Sequence, residues 1–496
     1  MLTRRDLLKA GALGLVGTGA CRPAPRSVPD RGVVLNDVHS KLNRTRVASV
    51  VRPAGLEELQ AAIGDSANRS VPVSIAGGRH AMGGQQFGAG TLHVDTLGLD
   101  RVLDFDSASG LIEVEAGAQW PGLIEECARI QEGAETQWGI AQKQTGADRL
   151  SLGGALASNV HGRGLTLAPF VGDIESFTLV DAGGGLRTCS RTENAELFRL
   201  AVGGYGLFGV VYSIRLRLSR RQLLERVVEV LPIDEVADMV ESRIGDGYLY
   251  GDFQFKTAEA SPDFLQRGVF SCYRPKPADT LFPHAQRSLS DEDWLRLLDL
   301  AHVDKARAFD EYAAYYLKTN GQIYWTDTHQ LSFYSDDYHV GIDARTGSAV
   351  PATEMISEVY VPRTELATFL AETAETLREI GANVIYGTVR WVEPDTETFL
   401  PWARERYASI VFNLHVGHSR EGIARARREF RTLIDLARKR RGSYFLTYHR
   451  WATREQVDDC YPEMAEFLAK KLEYDPGERF QSNWYRHYRS MYSAPR

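Results

Sequence analysis

The amino-acid sequence predicts an α+β protein, because helical and strand-like patterns alternate along the chain. Apolar residues alternate with polar ones over 71–75 and 111–116, which is typical of half-buried strands. Over 120–130 the apolar residues recur three and four positions apart, which predicts an amphipathic helix. Further on, 366–380 has helical spacing and 408–416 is rich in strand-forming residues.

The composition is that of a large globular protein. The 496 residues are 43% hydrophobic and 25% charged, which is enough for two or three domains. A net charge of -7 argues against a nucleic-acid-binding surface, and the basic run 438–441 is predicted to end a helix, where cations suit the dipole. The five cysteines show no CxxC spacing, and we expect them to be mostly free and buried.

The first 21 residues predict an export signal. Arg4 and Arg5 precede the apolar run 10–20, which is too short for a membrane span, and paired arginines indicate the twin-arginine route. We therefore expect a periplasmic or extracellular protein. Cys21 follows small residues and is a candidate for a lipid anchor, although Thr18 stands where an aliphatic residue is expected and favours plain cleavage or an uncleaved anchor. Residues 22–42 are predicted to form a linker.

The stretch 76–85, Ala-Gly-Gly-Arg-His-Ala-Met-Gly-Gly-Gln, predicts a ligand-binding loop after a strand. Glycine lets the backbone approach a ligand closely, and consecutive N–H groups in such a turn form an anion-binding concavity. Arg79 adds a positive charge and His80 adds a nucleophilic imidazole. The pattern suits a pyrophosphate; the alternative is a tight glycine turn with a surface histidine.

Two further glycine runs follow. The run 145–164 mixes glycines with small hydroxyl and amide side chains, which suits a flat, polar ligand. The run 204–209 satisfies the dinucleotide pattern GxGxxG, but the residues after it, 210–218, have a strand pattern instead of the helix that this motif requires. We therefore exclude a nicotinamide-binding Rossmann domain.

These three runs, in this order, resemble the FAD-binding domain of the vanillyl-alcohol oxidase and p-cresol methylhydroxylase (PCMH) superfamily. The resemblance covers about 47–218. It implies a PCMH-type FAD-binding domain of two subdomains over 43–219 and a substrate-binding cap domain with an antiparallel sheet over 220–442. It also implies a C-terminal segment, 443–496, that returns to the FAD-binding domain.

The resemblance implies FAD as the cofactor and assigns its binding residues by position. These are Gly77, Gly78, Arg79, His80, Ala81, Gln85, Ser151, Gly154, Ser158, Gly162 and Val211. It further implies that His80 is bonded covalently to the 8α-methyl group of the flavin, for which a neutral, nucleophilic imidazole is suited. Some relatives carry a second link through cysteine, but 137–150 contains no cysteine.

Within the superfamily the chain is most similar to the alditol and aldonolactone oxidase branch and to the cytokinin dehydrogenase branch. The stretches 358–363 and 388–391 resemble the first branch, in which an arginine matching Arg390 helps to hold the substrate hydroxyl. The sequence departs from that branch at Thr388, where a glutamate is expected, and at 448–453, which lacks its His-Trp-Gly-Lys motif. Specificity for polyols is therefore not implied.

The resemblance predicts an FAD-dependent oxidoreductase that oxidises a CH–OH group of a sugar-, polyol-, lactone- or alcohol-like small molecule. Hydride would pass to the flavin while a base takes the hydroxyl proton, with Tyr448 and His449 as candidate bases and Arg390 as the polarising cation. We expect oxygen as the electron acceptor. The alternatives are a dehydrogenase that uses a quinone or a cytochrome, and a non-catalytic scaffold with this fold.

Two clusters in the cap region have competing interpretations. The aromatic-rich stretch 309–338 either lines a pocket or packs in the core, and we favour the core. His415 and His418 form an HxxH pair, but on a strand they point to opposite faces, and no third ligand lies nearby in the sequence. We therefore expect no metal site.

Overall fold

A computed structural model describes residues 32–283, 285–333, 335 and 337–493. The predicted export signal, including Cys21, lies outside the described residues. Helices and strands are mixed along the described chain, which confirms the predicted α+β class. Within the described residues, no helix has both the length and the apolar character needed to cross a membrane.

From residue 32 to residue 217, the structure shows eleven strands and four α-helices. The strands are β1 (Val33–Leu35), β2 (Thr45–Val47), β3 (Ser49–Val51), β4 (Val73–Ala76), β5 (Leu92–Asp95), β6 (Val102–Asp106), β7 (Leu111–Glu115), β8 (Trp138–Gly139), β9 (Ile174–Val180), β10 (Leu186–Ser190) and β11 (Val210–Arg217). The helices are α1 (Leu56–Asn68), α2 (Trp120–Ile130), α3 (Leu152–Ser158) and α4 (Ala195–Ala201).

Most of these strands form two separate sheets, in agreement with the predicted two-subdomain architecture, whereas β1 pairs only with β2 and β8 pairs with Ser219–Arg220. Strands β3, β5 and β4 form a parallel sheet, on which α1 buries Leu59 and Ile63. Strands β10, β9, β11, β7 and β6 form an antiparallel sheet in that order. Strand β11 follows Gly209 directly, so the GxGxxG run leads into a strand, as predicted.

The middle of the chain contains the longest strands and the longest helices of the described residues. The strands are β12 (Ser219–Arg220), β13 (Leu223–Pro232), β14 (Tyr250–Phe255), β15 (Arg267–Pro275), β16 (Ile323–Trp325), β17 (Ala352–Pro362), β18 (Val384–Val392) and β19 (Tyr407–Gly417). The helices are α5 (Ile233–Gly245), α6 (Asp291–Val303), α7 (Lys305–Leu317), α8 (Tyr338–Thr346), α9 (Leu366–Ile380) and α10 (Arg420–Arg438).

A single antiparallel sheet organises this region, as the resemblance implies for a cap. Its order is β16-β13-β15-β14-β18-β19-β17-β20, where β20 is Ser443–Tyr444. Helix α10 has a wide apolar face, and its buried residues, including Phe430 and Leu433, pack on β17 and β19. Helices α6, α7 and α8 lie between β15 and β17 in the chain and also contact the sheet.

The four cysteines among the described residues, Cys127, Cys189, Cys272 and Cys460, are free and buried, as predicted. Each is packed in the hydrophobic core. Burial raises the pKa of the Cys127 thiol to about 12. These thiols are therefore uncharged packing groups near neutral pH.

The C-terminal residues, with helices α11 (Arg454–Cys460), α12 (Met464–Tyr474) and α13 (Asn483–Ser493), return to the first part of the chain. The Val73 amide donates to the carbonyl of Arg479 at 2.6 Å, and the Gln481 amide donates to the carbonyl of Val73 at 2.7 Å. This segment therefore flanks β4, the strand that leads into the loop 77–85.

A buried ion pair holds the turn before this docking segment. The side chains of Lys471 and Asp475 are 0% and 2% exposed, and their charged ends are in contact. Asp475 also accepts hydrogen bonds from the backbone amides of Arg479 and Phe480, both at 2.9 Å. The carboxylate thus links the end of α12 to the segment that pairs with β4.

We expect Lys471→Met to destabilise the protein by about 3–5 kcal/mol, because it leaves the Asp475 carboxylate buried without its counter-charge. The matched control is Lys470→Met, since Lys470 is the neighbouring lysine and pairs with Glu196 at the surface. It should change stability little. Urea unfolding of both variants measures the difference, and equal effects would contradict the assigned role of the buried pair.

Candidate cofactor and substrate cavity

A cavity of about 680 Å³ lies between the first part of the chain and the eight-stranded antiparallel sheet. This volume is within the range of small-molecule sites. One wall is formed by the loop after β4, the loop 144–163 and the glycine run before β11. The opposite wall is formed by β14, β17–β19, α6–α8 and residues 445–448. The loops and the large sheet therefore enclose one continuous space.

Most of the residues predicted to bind a cofactor line this cavity. They are Gly77, Gly78, Arg79, His80, Ala81, Gln85, Ser151, Gly154, Ser158 and Val211. Gly162 does not line it. Its amide donates to Gln142 Oε1 at 3.1 Å, and an added Cβ atom would lie 3.0 Å from the carbonyl oxygen of Lys143. This position is at odds with direct cofactor binding, because Gly162 packs against the side chain of Gln142 and the backbone of Lys143.

The first glycine loop presents backbone amides to the cavity. Arg79 has a φ of 57°, in the left-handed region, and reverses the direction of the backbone. Within the described residues, the amide N–H groups of Gly78, Arg79 and Ala81 donate to no backbone or side-chain acceptor of the protein. Successive amides around a left-handed residue form an anion-binding concavity.

The two glycine loops pack against each other so closely that side chains are excluded. A Cβ atom added at Gly77 would lie 1.9 Å from Ser151 Oγ. One added at Gly78 would lie 2.2 Å from the carbonyl oxygen of Arg149. Both glycines are therefore required by the contact between the loops and not by a positive φ.

His80 is buried at the cavity wall and contacts a second imidazole. Its Nδ1 atom lies 2.8 Å from Nε2 of His39, so one ring donates a hydrogen bond to the other. Burial, with the nearby His39, lowers the pKa of His80 to about 3, which keeps the ring neutral near pH 7. His39 lies in the predicted linker and has no motif around it, so the sequence offered no signal for this contact.

Arg390 and Tyr448 come together at the far side of the cavity. The Nε and Nη1 atoms of Arg390 are buried and have no hydrogen-bond partner among the described residues. The hydroxyl of Tyr448 accepts a hydrogen bond from Gln144 Nε2 at 3.3 Å. Burial and the negative charge of Glu358 raise the pKa of Tyr448 well above its ordinary value. Tyr448 is therefore protonated near neutral pH and suits a hydrogen-bond donor better than the predicted base.

Behind these two residues, Glu358 is the centre of a buried polar cluster. It accepts hydrogen bonds from Ser409 Oγ at 2.8 Å and from the Tyr360 hydroxyl at 3.1 Å, and it contacts His161 Nε2 at 2.5 Å. The charge of Arg390 contributes to lowering the pKa of Glu358, against the effect of burial. A carboxylate thus does accompany Arg390, although it comes from β17 and not from position 388.

His449 lies outside the cavity, which is at odds with its predicted role as a base. Its ring packs against Phe430 and Trp451 with centroids 4.4 and 5.7 Å away, and Nδ1 accepts the Trp451 amide at 3.3 Å. Burial lowers the pKa of His449 to about 3. The side chain is a packing group, because no ring atom reaches the space in which a substrate would lie.

His329, which no sequence motif marked, is a neutral imidazole in the cavity wall. Both ring nitrogens are buried and have no hydrogen-bond partner among the described residues. Burial and the charges of Arg163 and Arg226 hold the pKa of His329 well below its ordinary value. The rings of Tyr250 and Tyr273 flank it, each with a centroid distance of 4.6 Å.

The aromatic-rich stretch forms much of the cavity wall, so the preference for core packing was wrong for most of it. The wall residues are Tyr312, Tyr315, Tyr316, Tyr324, Phe333 and Tyr338. Trp325 is not among the lining residues and stacks under Arg221 at 4.2 Å. Tyr334 lies outside the described residues. Helix α7 and the segment that connects it to β16 bring several of these rings together. The number of aromatic residues in the sequence does not reveal this arrangement.

The HxxH histidines have separate partners. His418 Nε2 lies 2.9 Å from Thr353 Oγ1, whereas His415 Nδ1 lies 3.2 Å from Glu354 Oε1. His302 Nε2 lies 2.7 Å from the same Glu354 oxygen. His415 thus has two neighbours with ligand-type side chains, Glu354 of β17 and His302 of α6, although no third ligand lies nearby in the sequence.

Comparison with known proteins identifies the first part of the chain. Residues 47–190 match the family model of the FAD binding domain, which confirms the resemblance and FAD as the cofactor. L-gulono-1,4-lactone dehydrogenase of Mycobacterium tuberculosis is 31% identical over 33% of this chain and 36% of its own length. L-gulonolactone oxidase of Bos taurus is 24% identical over 39% of this chain and 42% of its own.

A third relative is cytokinin dehydrogenase 8 of Oryza sativa subsp. indica, which is 26% identical over 40% of this chain and 37% of its own length. The chain thus spans about two-fifths of the length of these relatives. Both branches named from the sequence are represented among these relatives.

The residues of the cavity fit FAD. The amides of the first glycine loop offer donors for a pyrophosphate, and the buried acceptor Gln85 Oε1 has no partner among the described residues. The remaining space, toward Arg390, Tyr448 and His329, is left for a substrate.

We expect Gly78→Ala to reduce FAD binding, because the added methyl group forces apart the two loops that meet at the Arg149 carbonyl. Overpacking of about 1–3 kcal/mol corresponds to roughly a 5- to 150-fold loss of affinity. The control is Gly122→Ala in α2, where an added Cβ atom meets nothing within 4 Å. Visible flavin absorbance per chain measures both, and full flavin content in Gly78→Ala would refute the role of this contact.

Proposed function

We propose that the protein is an FAD-dependent oxidoreductase that oxidises the CH–OH group of a small molecule. The observation that carries this proposal is the continuity of the cavity from the FAD-binding loops to a polar end with Arg390 and Tyr448; His329 lines the same cavity. Bound in the loops, FAD supplies the acceptor for the hydride that such a substrate loses. The residues at the polar end then have to hold the substrate and manage its hydroxyl proton.

Arg390 is suited to hold the oxygen that becomes negative during oxidation. Its guanidinium is always charged, and two of its nitrogens have no partner among the described residues. A pre-positioned cation in a water-excluded site stabilises developing negative charge without reorganisation. Tyr448, which stays protonated, is placed to donate a hydrogen bond to the same oxygen.

We propose His329 as the candidate proton acceptor. It is a neutral imidazole that lines the cavity, and its ring lies beside the backbone of Thr326 and Trp325. Tyr448 is held protonated and His449 does not reach the cavity, so both earlier candidates are less suited. Tyr250 and Tyr273 flank the ring and limit its rotation.

The wall of the cavity favours a ring-shaped, hydroxylated substrate. Tyrosines such as Tyr312 and Tyr316 combine flat apolar faces with hydroxyl groups, which suits the C–H face and the oxygens of a sugar or lactone. Two of the relatives bear names that refer to gulonolactone. We therefore propose L-gulono-1,4-lactone as the first compound to test, followed by other lactones, polyols and alcohols.

Replacing His329 by asparagine should slow anaerobic bleaching of the flavin by substrate by roughly 100- to 10,000-fold, the usual contribution of a general base. The asparagine keeps a polar side chain but cannot accept the proton. The matched control is His449→Asn, a buried histidine outside the cavity, which should leave the rate near that of the unmodified protein. Equal rates for His329→Asn and unmodified protein, with normal flavin content, would remove His329 from the mechanism.

The electron acceptor separates two versions of this proposal. An oxidase passes electrons to oxygen and produces peroxide under air, whereas a dehydrogenase uses a quinone or a cytochrome. Relatives with both kinds of name match the chain. We propose the oxidase, and peroxide formation coupled one-to-one to substrate oxidation tests it; turnover only with an added quinone or cytochrome favours the dehydrogenase.

We further propose that FAD is bonded covalently to His80. The neutral imidazole is buried in the amide-presenting loop, and the contact of its Nδ1 atom with His39 Nε2 at 2.8 Å holds the ring in place. A neutral imidazole retains the lone pair that a nucleophile needs. His39 is thereby proposed to position His80 for the bond.

After acid precipitation, flavin should stay in the pellet of the unmodified protein and appear in the supernatant of His80→Ala. The substitution removes the nucleophile but leaves the amides of the loop. His418→Ala, a histidine outside the cavity, is the control and should keep its flavin in the pellet. Flavin retained in the pellet of His80→Ala would refute the assignment of the link.

Export by the twin-arginine route remains part of the proposal. It rests on Arg4, Arg5 and the short apolar run after them. The route carries folded proteins, which suits an enzyme that must acquire FAD before leaving the cytoplasm. A lipid anchor at Cys21 is proposed as an alternative to release, and mass spectrometry of the mature N-terminus distinguishes the two.

A further inference from the structure

We propose that His302, Glu354 and His415 form a binding site for a divalent transition-metal ion such as Zn²⁺. The ligand atoms of the three side chains all lie within 4.8 Å of one another. Two imidazoles and one carboxylate are a common ligand set for zinc, with a fourth position left for water or a bound molecule. The site is separate from the FAD loops and from the polar end that contains Arg390.

Two of the three ligands are placed by the sheet itself. Glu354 of β17 and His415 of β19 are directly opposite each other in the antiparallel register. Opposed residues on one face of such a pair bring their Cβ atoms to about 5 Å. His302 comes from the last turn of α6 and approaches the same carboxylate oxygen.

The hydrogen bond on the far side of the His302 ring determines what its Nε2 atom can do. His302 Nδ1 lies 2.8 Å from the carbonyl oxygen of Leu298, which can only accept, so Nδ1 carries a proton. In the neutral ring Nε2 is then a bare lone pair, and it faces Glu354 Oε1 at 2.7 Å. Two electron-rich atoms at this distance require a positive centre between them, either a proton or a metal ion.

The surroundings resemble a second coordination shell. Metal-binding histidines usually donate their other N–H to a backbone carbonyl or carboxylate, as His302 does to Leu298. The hydroxyl of Tyr338 donates to the second oxygen of Glu354 at 2.5 Å, which orients the carboxylate. The side chains of His302 and Glu354 are only 4% and 5% exposed, whereas that of His415 is 27% exposed and gives an entry path.

The distances need little adjustment for a metal ion. Ligands at about 2.1 Å from a tetrahedral zinc ion lie roughly 3.4 Å apart. The contacts of Glu354 Oε1 with His302 and His415 are 2.7 and 3.2 Å, so each opens by less than about 1 Å, which side-chain rotation accommodates.

A metal ion in this position would tie the wall of the cavity to the sheet. Residues of α6 and α8, including Leu298, Ala301 and Tyr338, line the cavity, and so does Glu354. An ion bound by His302 links α6 directly to β17 and β19, and Tyr338 links α8 to the same carboxylate. The inferred role is therefore to hold the helical wall in place.

The test is titration of the chelator-treated, FAD-containing protein with ZnCl₂, followed by calorimetry and by metal analysis after desalting. We expect one zinc ion per chain in the unmodified protein, together with a rise in melting temperature that depends on zinc concentration. Glu354→Gln and His302→Gln should weaken zinc binding by at least roughly 100-fold, more than is usual for loss of an outer-shell partner.

The matched control is His418→Gln, which alters the other histidine of the HxxH pair and should bind zinc like the unmodified protein. If Glu354→Gln fails to fold, as judged by its flavin content, His415→Gln tests the same site from a more exposed position. The proposal is overturned if the unmodified protein binds no stoichiometric zinc, or if the His302 and Glu354 variants bind zinc as tightly as the unmodified protein. A protonated His302 is then the positive centre. Because zinc is measured directly, this result does not depend on the proposed oxidation activity.

Discussion

The contact between the two glycine loops is the constraint on which the rest of the structure depends. Gly77 and Gly78 pack on Ser151 and on the Arg149 carbonyl at distances that leave no room for a Cβ atom. This contact brings together loops that are separated by about seventy positions and aligns the amides of the first loop with the wall formed by the second. Close backbone packing is the reason for glycine at both positions, since neither has a positive φ.

The other parts of the chain stabilise this contact from outside. The C-terminal segment pairs with Val73 on β4, and the buried Lys471–Asp475 pair fixes the turn that brings it there. On the opposite side of the cavity, the eight-stranded sheet presents Arg390 from β18 and, with the residues after β20, Tyr448. Cofactor loops and substrate-facing side chains thus come from different parts of the chain and meet only in the folded protein.

The local pattern predicted several of the elements, for identifiable reasons. Helix α2 has its predicted buried face, and β11 follows the GxGxxG run because β-branched residues follow Gly209. Glycine loops are local in sequence, and most of the residues predicted within them line the cavity. Gly162 was the exception, because its neighbours Gln142 and Lys143 are brought to it by the fold.

The cavity wall around Arg390 and Tyr448 is assembled from distant residues, which local patterns do not bring together. His449 adjoins Tyr448 in the sequence, but adjacent residues point in different directions, and its ring turns into the core against Phe430. His329 and His39 have no motif around them. They are recognised as site residues only in the structure, from the burial of the His329 ring and from the contact of His39 with His80. The neighbours of His415 were missed for the same reason, since strand register and α6 supply them.

The visible absorbance spectrum of the purified protein shows whether the cavity holds FAD. We expect flavin absorbance bands corresponding to about one FAD per chain, present on purification or restored by adding FAD. A colourless protein that does not take up added FAD would refute FAD binding in this cavity and favour a non-catalytic scaffold with this fold.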